Sequence, residues 1–385
     1  MRIDPDARHD LRARLADVAA AMAAWDARPA ARDDLRARVA GAMRPFRHCT
    51  AHPDAVVGGA DGTGDYPVVT YGDSFVYLTL AAATMYGAHP LRGLAERTVD
   101  GATVVEVTWL ATSEAQRRTS LLGSFARLGG VPVDHVIGAS DYRQVAGAGH
   151  SGLSDLVIPQ AHDGSNLGIQ LRSTGELGRV LRVIETAPAG AVVLSDGTMS
   201  LPLVLRSGVS LFFEHLRRYC CVRARERGVI FGALSKSAGL PTGLDLDAIA
   251  RETLGRSDHW YLPVPDRDRD GWSPWAPDGP RVPPPGATSV LLRLHRATPV
   301  MRLDLDAFGP AADPDALPGI LEAIDYASHD QRSYGYPYPL KAAHDRGSLT
   351  QADRRILRAQ VVDAAVEAGM RRTAFRDAAQ QTGHR

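Results

Sequence analysis

The chain has 385 residues and 44% hydrophobic content, enough apolar material to bury a sizeable core in one large domain or two ordinary ones. Lys+Arg and Asp+Glu both number 44, which excludes a strongly basic nucleic-acid binder but leaves room for a local basic channel. Three cysteines, Cys49 and the adjacent Cys220 and Cys221, have neither the number nor the spacing of a disulfide framework or a zinc site, and no run approaches the roughly 20 apolar residues of a membrane span. A cytoplasmic protein that is not exported is the expectation.

Residues 10–45 are expected to be helical, with Leu11, Leu15, Val18 and Met22 on one stripe, a break near Pro29, and then Leu35, Val39 and Met43. Such an arm, residues 1–50, packs either on its own domain or on a second copy of the chain. His48, Cys49 and His52 follow. Three such residues in a loop lack a fourth ligand and a framework, so they are set aside as a metal site. From Val56 the pattern turns to strands at 56–60, 68–71, 75–83 and 104–110, and Leu121, Leu122, Phe125 and Leu128 mark a helix over 114–128. Residues 138–154, Gly-rich and polar, are expected to form a loop or an inserted element. Asp163-Gly164-Ser165 reads as a turn feeding a helix over 168–186, whose buried stripe carries Leu177, Val180, Leu181 and Ile184 and is bordered by Glu176.

The next stretch, Ala191-Val192-Val193-Leu194-Ser195-Asp196-Gly197-Thr198, is a continuous apolar run that ends abruptly in Asp-Gly. That pattern predicts a fully buried strand delivering one carboxylate to the end of a sheet. The same grammar occurs earlier in Val56-Val57-Gly58-Gly59-Ala60-Asp61-Gly62-Thr63. Two aspartates meeting on neighbouring strands would suit a divalent metal. Beyond them come a helix over 211–227, a strand over 229–234 ending in Ser235-Lys236-Ser237, and a strand pair at 289–294 and 300–305. Between these lies a proline-rich loop, 263–286. Its Asp266, Asp268 and Asp270 begin like a calcium loop, but Pro277 stands where the closing glutamate is required. From Pro314 the chain is largely helical. Tyr334-Gly335-Tyr336-Pro337-Tyr338-Pro339-Leu340 should run extended into a helix starting near Leu340, placing His344 on the same inward face as Leu340.

Taken together and in this order, Asp61-Gly62-Thr63, a helical Glu176 before Asp196-Gly197-Thr198, Gly232-Ala233-Leu234-Ser235-Lys236, and the Gly335-to-Leu340 motif with His344 resemble the NurA nuclease family. The C-terminal Gly-Tyr-Pro-x-Pro-Leu motif followed by Ala-His is the sharpest element, and the resemblance spans about 56–349. It implies an RNase H-like α/β fold, a mixed sheet flanked by helices, with residues 51–349 as the nuclease domain between the N-terminal arm and a C-terminal helical tail, 350–385. It implies a manganese-dependent DNA nuclease, with magnesium as an alternative ion and two ions at the site, acting 5′ to 3′ on ends and on single strands. A homodimer and a HerA-type hexameric ATPase partner are implied too, in break repair or in defence against phage. Asp61, Glu176, Asp196 and His344 carry over as metal ligands, and Tyr336 joins them as a catalytic residue. The chain has Thr63 where the family usually has serine, and Glu185 lies on the same helix as Glu176.

Phosphodiester hydrolysis needs charge neutralised on the phosphate and an activated water, which a carboxylate cage holding divalent cations supplies. An added imidazole is compatible with manganese. Lys236, at a strand end, suits a phosphate oxygen as a point charge and is read as a DNA-binding residue. An aspartyl-phosphate phosphatase is excluded, since the required first aspartate is Leu194 in one copy and Gly59 in the other. The alternative function is a non-catalytic DNA-binding or adaptor subunit of the translocase.

Overall fold

The computed structural model of the chain describes residues 5–26, 32–72, 74–91, 93–146, 152–159, 163–199, 210–236, 245–256, 258–264 and 283–376. Helices α1 (Pro5–Asp26) and α2 (Arg32–Ala42) and the short strand β1 (Arg44–Pro45) precede β2 (Val56–Thr63), β3 (Val69–Tyr71), β4 (Ser74–His89), β5 (Gly93–Arg97) and β6 (Thr103–Leu110). Then come α3 (Glu114–Gly129), α4 (Val133–Ala139), α5 (Tyr142–Ala146), α6 (Gly164–Thr186), β7 (Val192–Asp196), α7 (Phe212–Glu226) and β8 (Ile230–Ser235). The rest of the described chain forms α8 (Leu246–Leu254), β9 (Trp260–Val264), β10 (Ala287–Arg293), β11 (Met301–Asp306), α9 (Leu317–Ala327), α10 (Tyr338–Gly347), α11 (Gln351–Glu367) and β12 (Phe375–Arg376).

The strands make one mixed sheet in the order β1-β9-β10-β11-β8-β7-β2-β4-β3-β12, with β5 and β6 also paired to β4. Only β2–β7 and β7–β8 are parallel among the described pairs. These three central strands carry the continuous apolar runs because helices cover both of their faces. Val193 belongs to the core shared with Leu177 and Val183 of α6 and Leu216 of α7. Its neighbours Val192 and Leu194 point the other way, into the core built with Ile324 of α9 and Leu340 of α10. A third cluster joins Val39 and Met43 to Ile249 of α8 and to Trp260 and Leu262 of β9.

Strand β2 is where the two helical layers come nearest to each other. A Cβ on Gly58 would lie 2.4 Å from Cγ1 of Val183 in α6, and a Cβ on Gly59 would lie 2.8 Å from the backbone nitrogen of Leu340 in α10. The two glycines face opposite sides of the sheet, so each admits a different helix. Thr84 of β4 reinforces the second contact by donating its hydroxyl to the Pro339 carbonyl at 2.8 Å.

Several expectations change in three dimensions. Strand β4 extends six residues past Ala83, to His89, because it pairs with β2 along one edge and with β6 and then β5 along the other. The stretch 138–154, expected as a loop or an inserted element, carries helical turns: Val133, Val136, Ile137 and Tyr142 are buried, enough to anchor α4 and α5 despite the glycine content. Asp163 does cap a helix, accepting from the Asn166 backbone N–H, and that helix starts at Gly164. Leu11, Leu15, Val18 and Met22 are 45–66% exposed, so the stripe of the arm does not pack on this chain's own core. After α11 the C-terminal tail adds β12, which pairs with β3 and sets Phe375 against Tyr71 with the rings tilted, centroids 5.2 Å apart. Asp266, Asp268, Asp270 and Pro277 lie outside the described residues.

The close approach at Gly59 generates a stability prediction. Gly59→Ala puts a methyl against helix backbone, which cannot rotate aside, and should lower stability by about 1–3 kcal/mol. Urea denaturation reads this directly; an unchanged midpoint would contradict the packing described.

Candidate active site

Asp61 and Asp196 lie on adjacent parallel strands. Ala60 is in register with Ser195, so the next residue on each strand is one of the two aspartates. Both sit at the carboxyl ends of their strands, where a doubly covered sheet opens. Asp61 is 7% exposed, and its Oδ1 accepts the Gly62 N–H at 2.7 Å. Gly197 has φ of +103°, a backbone state that only glycine adopts freely and that turns the chain away just after Asp196. Gly62 serves a different purpose: a Cβ there would lie 3.1 Å from Cγ of Glu176 and 2.9 Å from the Leu80 carbonyl. One dipeptide thus answers a torsional demand in one strand and a steric one in the other.

Glu176 arrives from α6 on one face of β2. Its side chain is 13% exposed, and Arg172, one turn earlier, lies 3.3 Å from Oε1 while reaching Asp65 at 2.8 Å. Burial pushes the Glu176 carboxyl up to about 8, with Asp61, Asp196 and Asp65 adding like charge and Arg172 opposing them. His344 arrives from α10 on the other face, its Nδ1 2.6 Å from Oδ2 of Asp61. The Ser348 hydroxyl lies 3.3 Å from the other ring nitrogen. The His344 side chain is 53% exposed, so the expected inward face is corrected: Leu340 is buried, while His344 stands at the rim beside Asp61. Tyr336, just before α10, has its hydroxyl pushed well above the usual range by burial and by the nearby Asp196 and Asp61. Lys236, at the end of β8, lies 3.0 Å from Oδ2 of Asp196 and 5.4 Å from the Tyr336 ring centroid.

Thus the structure brings all six sequence-selected residues, Asp61, Glu176, Asp196, Lys236, Tyr336 and His344, into one region of mutual contact or electrostatic coupling. Glu185 lies elsewhere, paired to Arg223 at 2.9 Å and near Arg227 at 3.9 Å. Sequence reasoning missed Asp65, Arg172 and Arg354, the last of which donates to the Thr63 hydroxyl at 3.2 Å. Arg172 was the findable one, since it stands at i−4 to Glu176. His48, set aside in the sequence, lies in a separate group with His259, Asp325 and His329.

No protein-family profile matches the chain, and no curated protein matches it. Solved structures do. The NurA nuclease from Sulfolobus solfataricus superposes with a TM-score of 0.51 at 11% identity, covering 96% of this chain and 99% of the other. The chain has the NurA fold. A structure of NurA with manganese aligns over 94% of this chain and 99% of its own length, also at 11% identity, with a TM-score of 0.41.

Three carboxylates and an imidazole at the rim of a sheet are the donor set of a hard or borderline divalent cation. Without a cation, the buried Glu176 beside two aspartates is held protonated at neutral pH, which yields a pH prediction. Its value in the unfolded chain is about 4.5, so between there and about 8 the folded chain keeps a proton that the unfolded chain has released. Stability of the metal-free protein should therefore fall as pH rises through that window, with Arg172, Arg217, Asp61, Asp65 and Asp196 as the charges that face the carboxyl. Glu176→Gln should flatten the slope in chelator-treated protein. An identical slope in the variant would show that another group titrates.

Proposed function

We propose that the protein is a divalent-metal-dependent DNA nuclease. The observation that carries this reading is the convergence of Asp61, Asp196 and Glu176 with His344 and Tyr336 at the carboxyl ends of two parallel strands. The fold shared with a NurA nuclease supports it. Asp61, Asp196 and Glu176 would hold the cations through carboxylate oxygens and His344 through a ring nitrogen, a set that suits manganese and admits magnesium. Divalent cations held there would supply neutralisation of phosphate charge and activation of the attacking water.

The chain's own residues do the remaining work. Lys236, released from Asp196, offers a point charge to a phosphate oxygen. Tyr336 keeps its hydroxyl proton, since burial and two neighbouring aspartates oppose a phenolate, and so acts as a hydrogen-bond donor that orients Asp196. Asp61 positions the His344 ring through Nδ1. Arg172 holds Glu176 and Asp65 on one wall.

The finer reading is a 5′-to-3′ exonuclease that also cuts single strands, acting as a homodimer fed by a HerA-type hexameric ATPase in the cytoplasm, in break repair or phage defence. Equal numbers of positive and negative side chains make unaided long-range attraction to DNA modest, and a translocase would compensate by tethering. The exposed stripe Leu11, Leu15, Val18 and Met22 supplies a candidate surface for the second copy or the ATPase.

End-labelled linear and circular DNA, incubated with manganese, magnesium or chelator and with or without the ATPase, tests the whole reading. Asp61→Ala and Asp196→Ala should abolish cleavage while the protein stays folded; near wild-type activity in either would refute the site. Glu176→Gln should lose at least about a hundredfold in rate. Glu185→Gln removes only a partly exposed ion pair worth about 0–1 kcal/mol and should leave turnover intact. The reverse pattern would assign the wrong carboxylate.

A further inference from the structure

A second cluster of ligand-type side chains lies outside the carboxylate centre. His48 precedes β2, His259 precedes β9, and Asp325 and His329 stand at the end of α9; each offers a ligand atom within 4.8 Å of all the others. Asp325 is fully buried, and among the described residues its ion-pairing partners are imidazoles. One oxygen, Oδ2, accepts the Cys49 N–H at 2.7 Å and faces His48 Nδ1 at 2.9 Å. The other oxygen, Oδ1, has no hydrogen-bond partner, and neither does the buried Nε2 of His259, which faces it from 3.5 Å.

A buried carboxylate oxygen and a buried ring nitrogen left unpaired opposite each other are costly unless something sits between them. The spacing suits a metal ion. Ligands bonded at about 2.0–2.1 Å in a tetrahedron stand roughly 3.3 Å apart, close to the 3.5 Å from Oδ1 to His259 Nε2, and His329, whose Nδ1 is taken by a carbonyl, would ligate through Nε2. Outer contacts fit as well: Nδ1 of His259 is 3.2 Å from the Asp258 carboxylate, and Nδ1 of His329 donates to the Asp325 carbonyl at 2.7 Å. Such contacts fix the tautomer and tilt of a ligating imidazole. His259 is also the one non-glycine among the described residues with positive φ, +53°, a conformation that aims its ring into the cluster.

We propose that His48, His259, Asp325 and His329 form a structural zinc site. Three nitrogens and one oxygen in a closed set of four match zinc better than the oxygen-seeking magnesium or calcium. His48 and His329 also line an open pocket of about 910 Å³, which provides an entry path. The ion ties the approach to β2 and the start of β9 to the end of α9. His329 lies seven residues before Tyr336, so the ion also braces the segment that delivers Tyr336 and His344 to the carboxylate centre.

The test uses the full chain purified without chelator. Elemental analysis should find one zinc per chain, chelation should lower the thermal midpoint, and added zinc should restore it. Cobalt added to chelated protein should give a tetrahedral visible spectrum without thiolate charge transfer, since no cysteine is among the ligands. His259→Asn and His329→Asn should each lose the ion, whereas the Asp61→Ala, Asp196→Ala double variant should retain it, separating this site from the nuclease centre. Should the histidine variants fail to fold, the wild-type cobalt spectrum still decides. Wild-type protein that takes up neither zinc nor cobalt, an octahedral cobalt spectrum, or loss of the ion in the aspartate double variant would each overturn the proposal.

Discussion

The architecture depends on how near two helices can come to a single strand. Strand β2 has no side chain at Gly58 or Gly59, and the two positions face opposite layers, so α6 and α10 close onto the strand to van der Waals distance from both sides. That approach brings Glu176 and His344, 168 residues apart in the chain, to the two flanks of one aspartate. A methyl group at either glycine would need one helix to retreat. In close-packed interiors such a shift is transmitted along the whole helix, and with it to the site.

Charge is handled differently in different parts of the molecule. Around Arg218 and Arg225, buried or partly buried guanidiniums meet Asp141 and Asp306 in a network of two acids and two bases, with every separation between 2.6 and 3.1 Å. Such a network compensates itself and ties α7 to β11. Around Asp61 and Asp196 the balance is left open. Three acids converge there with Arg172 on one side and a rim histidine on the other, and burial, with the neighbouring negative charge added, raises the Glu176 carboxyl. The contrast separates a structural ion-pair network from a centre awaiting positive charge. Asp325 is a third case, a fully buried carboxylate surrounded by imidazoles.

Much of this was legible in the chain. The runs 191–194 and 56–60 could be read as strands covered on both faces because continuous apolar sequence ending in Asp-Gly leaves few other structures. The parallel pairing of β2 and β7 places both aspartates at one sheet edge. Glu176 was visible as a polar residue bordering an apolar stripe, and α10 as a helix launched by proline. What misled was periodicity read without neighbours. The stretch 138–154 looks like a loop or an inserted element, yet its described part holds the end of α4 and all of α5, because Tyr142 finds a buried surface. His344 shares a helical face with Leu340, yet Leu340 is buried while the His344 side chain is half exposed.

Local pattern along the chain already shows which residue types stand at which strand and helix ends, since it sets period, cap and turn. Which of those ends meet is fixed by packing between distant segments. His48 lacked a fourth ligand and a framework in the sequence, and the fold brings it to His259, Asp325 and His329, more than 200 residues away. Likewise, whether Glu176 or Glu185 faces the aspartates depends on which end of α6 lies over Gly62, and no spacing along one helix contains that information. Contacts between distant segments are set by the shapes of whole packed surfaces, which exist only once the chain has folded.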